Sequence, residues 1–271
     1  MKKIFVIALA LFITTSAARS TVSAAGVCSS GIFSDHAVRG SGKLVSKTIS
    51  APDFHSIEAS RAVTVIVTDQ PTGKITIEAD DNLIDLVVVE AVKGTLRVTL
   101  DNNSLRSISN ANVTVTVPAN GHIRSLEADS ASKIICKTAL GADKFSIETS
   151  SAAYIEAAVK AGNCSVEASS ASSIKAALKV ASCSIDLSSA AKAEIAGSAE
   201  TCTVEMDSAS ELSAEKFLVT NLSVGTSSGA EAAVNCTGKL RVEASSGSAV
   251  QYSGDCSTDI DRSSGACVSK D

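Results

Sequence analysis

Four acidic residues, Glu148, Glu167, Asp186 and Glu205, stand about nineteen residues apart in a 271-residue chain, and each occupies the same place in a recurring phrase. If the phrase is one rung of a stack, the four carboxylates form a row with neighbours about 4.8 Å apart. Such a row is self-repelling. It is either a solvated face screened by nearby lysines or a series of weak calcium sites, since Ca²⁺ takes several carboxylate oxygens from flexible surroundings. The glycine-rich acidic nonapeptide of calcium-binding β-rolls is absent, so the metal assignment rests on spacing alone. No other cofactor is indicated.

The eight cysteines are the second source of chemistry. Cys164, Cys183 and Cys202 fall at a position that other copies fill with Phe145, Leu222 and Leu240, which marks them as small core residues. Cys256 and Cys267 sit near the end of the sequence and are the candidates for a structural disulfide. The three histidines, His36, His55 and His122, are widely separated, and neither a zinc spacing nor a nucleophile motif occurs. There is no Trp, and there are two Tyr, which leaves little aromatic surface for stacking on sugars. No catalytic residue is assigned. A carbohydrate-active enzyme is the weaker alternative, because it needs acids and bases clustered in a groove.

What must position these residues is the phrase itself. It reads RSLEADSASKI, FSIETSSAAYI, CSVEASSASSI, CSIDLSSAAKA, CTVEMDSASEL, LSVGTSSGAEA and LRVEASSGSAV, starting from Arg124. Its first four positions alternate inward and outward, as in a strand with one buried face. The third position is aliphatic throughout: Leu126, Ile147, Val166, Ile185, Val204, Val224 and Val242. The seventh is always Ser, followed by Ala or Gly, which suits a tight corner between stacked rungs. A unit this short cannot bury its own core and must lean on its neighbours. Helical repeats need about twice the length. The expected fold is therefore all-β, a single-stranded parallel β-helix of about ten turns, each of about 19 to 20 residues. Looser copies, HSIEAS, ITIEADDN and LRVTLDNN, with VTVTVPAN after them, extend the pattern upstream.

The divisions that follow are a lead-in over residues 26–43, an unbroken solenoid over 44–251 and a terminal cap or tail over 252–271. Residues 1–25 combine two lysines, the apolar run IFVIALALFI and a small-residue stretch, which reads as a secretory signal peptide cleaved after Ala25 or Ala18. The apolar run is too short to span a bilayer. Export to the periplasm, the cell surface or the medium follows. Net charge is −5, from 24 basic and 29 acidic residues spread along the chain, and this excludes a basic nucleic-acid face.

The segments GSGKLVSKTISAPDFHSIEASRAVTVIV, IEADDNLID, GTLRVTL and VTVTVPAN, followed by small-residue rungs, resemble the head GIN domain family of auto-transporter adhesin-like exported bacterial proteins. The resemblance covers about residues 40 to 250 and carries no catalytic motif. It implies a right-handed parallel β-helix and an adhesin-like role outside the cytoplasm, binding a cell-surface, glycan or protein partner without catalysis. A purely structural envelope component is the remaining alternative.

Overall fold

The computed structural model describes residues 37–70, 73–101 and 107–271. The expected signal peptide and most of the expected lead-in, with Cys28 and His36, lie outside the described residues.

The N-terminal part contains β1 (Ala37–Arg39), β2 (Leu44–Ser50), β3 (Ser56–Ala59), β4 (Thr64–Thr68) and β5 (Lys74–Asp80). After a single 3₁₀ turn come β6 (Val87–Val92), β7 (Thr95–Leu100), β8 (Ser107–Ser109), β9 (Val113–Pro118) and β10 (Ser125–Ala128). The repeats follow as β11 (Lys133–Thr149), β12 (Tyr154–Ala168), β13 (Ser173–Leu187), β14 (Lys192–Met206), β15 (Glu211–Thr226) and β16 (Glu231–Ala244). Then come β17 (Ala249–Ser253), β18 (Ser257–Arg262) and β19 (Cys267–Lys270).

Each long strand supplies two walls of one coil. In β12 the buried positions are Ile155, Ala157 and Val159, then Cys164, Val166 and Ala168. The inward phase slips from odd to even numbers between Val159 and Cys164, so the chain bends there at the Ala161–Asn163 corner. Successive coils pair in parallel, with Ile147, Val166, Ile185, Val204, Val224 and Val242 in strict register. This aliphatic ladder is the centre of a single continuous core. The stack is a β-solenoid of about eight turns, slightly fewer than the ten that the period suggests.

The Ser-rich corner has an unusual backbone. Ser151 and Ala152 take φ of 52° and 61°, and the Ala153 N–H donates to Ser150 O at 3.0 Å, so both central residues of the turn are left-handed. The same geometry recurs at Ser130–Ala131, Ser170–Ala171, Ser189–Ala190 and Ser208–Ala209, and with glycine second at Ser228–Gly229, Ser246–Gly247 and Ser264–Gly265. A residue with a Cβ in this region is strained by about 1–2 kcal/mol. The strain is offset along the axis, because Ala152 N donates to Ser170 O, Ala171 N to Ser189 O and Ala190 N to Ser208 O, a corner ladder of 2.9–3.0 Å bonds.

Just inside that corner Ser and Ala alternate from coil to coil: Ser132, Ala153, Ser172, Ala191, Ser210, Ala230 and Ser248, all buried. Each Ser hydroxyl donates to a carbonyl of the coil beneath, as in Ser172 Oγ to Thr149 O at 3.1 Å and Ser210 Oγ to Leu187 O at 3.0 Å. Buried hydroxyls need such partners. Alternation seats each of them without crowding the next.

The N-terminal region departs from an unbroken winding. β3 and β4 lie between an outer layer, β7 and β9, and the first clear repeat, β10 and β11, although β7 and β9 follow them in sequence. Beyond this outer layer the chain pairs antiparallel, β5 with β9, β2 with β5 and β6 with β7. Buried Asp80 fastens this end. Gly42 N and Asn112 N each donate to its carboxylate at 2.8 Å, and the Asn112 bond, with that from Gly42, holds the group below its ordinary value near 3.8 despite burial. At the other end the parallel ladder continues past Gln251, with β18 on β16 and β19 on β17.

Candidate functional site

One wall of the solenoid is built from β10, the second halves of β11 to β16, and β18. Its outward residues form three columns. The first contains Asn163, Ser182, Thr201 and Asn221, with Lys144 and Lys239 at its ends, and the second contains Ser146, Ser165, Ser184, Thr203 and Ser223. The third is the acidic row, and the register predicted for it holds: Glu148 pairs with Glu167, Glu167 with Asp186, and Asp186 with Glu205. Glu127 and Glu243 continue the row as the repeat implies, and the structure extends it further, to Glu58 at one end and Asp261 at the other.

Gly225 interrupts the acids, and the Glu205 carboxylate leans over the next coil into the space its missing side chain leaves, where a Cβ would lie 2.3 Å from Glu205 Oε2. Around this point a groove of about 490 Å³ runs beside the acids, bordered on its far side by the corner residues Asp207, Ser227, Ser245 and Ser263. A smaller groove of about 260 Å³ follows Glu127, Glu148, Glu167 and Asp186.

Among the described residues, ion pairs reach the row at its ends. Arg97 approaches Glu58 at 3.3 Å, and Arg241 pairs with Glu243 at 2.7 Å. The Lys175–Glu194 and Lys192–Glu211 pairs belong to the opposite wall. Among the described residues no cation pairs directly with Glu167, Asp186 or Glu205. Repulsion is visible at Glu127, where burial first, then Glu58, Glu148 and Asp129, push the carboxyl upward. Asp129 is held down instead by the hydroxyls of Ser130 at 2.7 Å and Ser150 at 2.9 Å. Among the described residues no three His, Cys, Asp or Glu side chains converge as a metal-binding group.

Cys164, Cys183 and Cys202 stack in register inside the core, each buried. The Cys183 thiol and burial push Cys164 far above the usual thiol range. The seven described cysteines are all free thiols. Cys256 and Cys267, the sequence candidates for a bridge, are not brought together. Between them β18 runs extended for six residues, about 20 Å, and the chain then turns onto the other wall, whereas a disulfide needs Cα atoms within about 7 Å. His55 is half-buried with Nδ1 3.0 Å from Ser56 Oγ, and His122 is exposed, its backbone N–H donating to Asn120 Oδ1 at 2.9 Å.

The family "putative auto-transporter adhesin, head GIN domain" matches residues 53–256. The chain belongs to this family. Solved structures share the fold. Two, each described as a "putative adhesin", come from Parabacteroides merdae (18% identity, 87% of this chain and 99% of that chain, TM-score 0.80) and Parabacteroides distasonis (17%, 87% and 100%, TM-score 0.80). A third, described as a "putative lipid binding protein", is also from Parabacteroides distasonis (16%, 87% and 99%, TM-score 0.80). Comparison with curated proteins returned no match. Among the described residues no helix is long and apolar enough to cross a membrane.

The arginines at the ends of the acid row escaped the sequence reading. Arg97 comes from a strand out of sequence order, which no periodicity reveals. Arg241 was legible, since it replaces Ser or Thr in the second column of its copy.

Proposed function

We propose that this head GIN chain is a non-enzymatic, exported, adhesin-like protein of the cell envelope, and that its acidic wall binds a glycan or protein partner at the cell surface. One observation carries the reading: three outward columns, two of hydroxyls and amides and one of carboxylates, repeat coil after coil with no ion pair in the middle of the row. A repeating ligand with a matching period gains a bond per rung, so weak contacts add by multivalency. Catalysis lacks support, because the acids stand in single file along an open wall instead of facing one another across a groove. The family's adhesin description supports the same reading.

A second reading rests on the same carboxylates. Glu148, Glu167, Asp186 and Glu205, in consecutive coils, would take Ca²⁺ weakly, between rows or between the wall and an anionic partner.

The test compares wild-type protein with Glu167→Lys/Asp186→Lys, and with Lys175→Glu on the opposite wall as control, on arrays of envelope glycans and of surface-protein extracts. The acidic-wall variant should lose binding at least tenfold while the control retains it. Equal binding by all three proteins would reject the acidic wall as the binding face, and no binding by any would favour a purely structural role.

A further inference from the structure

The geometry points to a disulfide between Cys236 and Cys256 that fastens the last coil to the coil before it. Cys236 ends an inward column at the corner that begins with Ala161 in β12, where the following coils place Val180, Ala199 and Val219, and it is fully buried. Cys256 stands at the same corner one coil later, half-buried against the core. The register on both sides fixes their approach: Asn235 pairs with Ser253, and Lys239 with Ser257. Two side-chain bonds bracket the pair, Ser253 Oγ to Val234 O at 3.4 Å and Ser257 Oγ to Gly238 O at 3.2 Å. Gly254 lets the coils close, since a Cβ there would lie 2.2 Å from Cys236 O. Burial first, and then the neighbouring Cys256 thiol, push the Cys236 thiol above its ordinary range.

The other thiol contacts differ in kind. Cys164, Cys183 and Cys202 lie directly opposite one another in flat parallel strands, where neighbouring Cβ atoms stand about 4.8 Å apart, beyond the usual disulfide spacing of about 3.5–4.5 Å. They are also sealed in the core. Cys256 is at a bend and partly open to solvent, so an oxidant can reach it.

The oxidant is a low-molecular-weight or protein disulfide. The Cys256 thiolate attacks one sulfur of that disulfide and expels the other as a thiolate, giving a mixed disulfide. The Cys236 thiolate then attacks the Cys256 sulfur and releases the second thiolate of the oxidant. Two protein thiols lose two protons and two electrons, and the oxidant's S–S bond becomes two thiols. The bridge closes a loop of about twenty residues, which restrains the end of a stack whose coils are held only by neighbours.

The experiment incubates the full chain with oxidised glutathione, alkylates the native protein, and maps it by non-reducing mass spectrometry. The expected product is one cross-linked pair of peptides containing Cys236 and Cys256, two hydrogens lighter than the reduced sum, with Cys267 alkylated or carrying glutathione. Oxidation should also lower proteolytic opening of the segment after Cys236 by about a hundredfold, as closure of a loop of this size implies. Cys256→Ser, at the half-buried partner, should fold and lose both effects. Free Cys236 and Cys256 after oxidation, or Cys256 bridged to Cys267 or to any other cysteine, would overturn the assignment.

Discussion

Ile185→Asp places the fold on a single residue. Ile185 is 1% exposed and touches the ladder above and below, pairing with Val166 and Val204. Removing it forfeits the transfer energy of a fully buried aliphatic side chain, about 1.5–3 kcal/mol. Replacing it with a carboxylate adds the cost of an unpaired buried polar group, about 1–3 kcal/mol by protein measurements even if the acid is protonated. The combined loss of about 3–6 kcal/mol falls on one coil, and coils are stabilised by their neighbours alone. Hydrogen exchange read by mass spectrometry should show β13 losing protection, with β12 and β14 following. Ser184→Asp, one residue away on the outer face, should leave protection unchanged within about 0.5 kcal/mol. Native protection in Ile185→Asp, or equal damage from both variants, would refute the inward ladder.

Asp80 should make the N-terminal end acid-sensitive. Its folded pKa is depressed, so its contribution is complete above the ordinary value near 3.8 and is lost as pH falls through the folded value. Amide protection at Gly42 and Asn112 should therefore drop in acid, and should be absent at all pH values in Asp80→Ala. Glu127 has the opposite sign: its raised pKa means that ionisation costs stability, which returns as pH falls through the folded value, and Glu127→Gln should stabilise the protein at neutral pH. If the acidic row takes calcium, millimolar Ca²⁺ should raise the melting temperature above a NaCl control of equal ionic strength, by a free energy of about 1.4 kcal/mol at ten times Kd, and Glu167→Gln/Asp186→Asn should remove the excess. Equal shifts from the two salts would leave the row a solvated face. At the left-handed corner, Ala190→Val should destabilise, because a β-branched residue fits that backbone worse than Ala, whereas Ala190→Gly, which copies Gly229 and Gly247, should relieve Cβ strain and be neutral or stabilising in thermal melts.

The repeat was legible because burial imposes it: a column such as Val166, Ile185 and Val204 must be aliphatic in every coil, and a column facing water keeps its acids in step with it. The neighbours of the N-terminal strands were hidden, because alternation shows that HSIEAS and LRVTLDNN are strands but not that the first lies between the second and Leu126. The left-handed corner was hidden too, since such turns ordinarily announce themselves by Asn-Gly or Gly-Gly. Here Ser-Ala adopts that backbone, held by bonds to the next coil that a single copy cannot make. Cys256 and Cys267 are the sequence candidates because a bridge there would tie down the end of the stack, but the stack brings together residues one period apart, and Cys236 is about one period from Cys256.

The central claim is that the carboxylates of consecutive coils form one continuous row, and distance measurement tests it most directly. In a Cys256→Ser/Cys267→Ser background, nitroxide labels placed in pairs at positions 148 and 167, 148 and 186, and 148 and 205 should separate by about 5, 10 and 14 Å, one strand spacing per coil. A stepwise weakening of dipolar broadening along that series is the predicted result. Broadening that is absent for the first pair, or that does not fall with each added coil, would contradict the row and the binding face built on it.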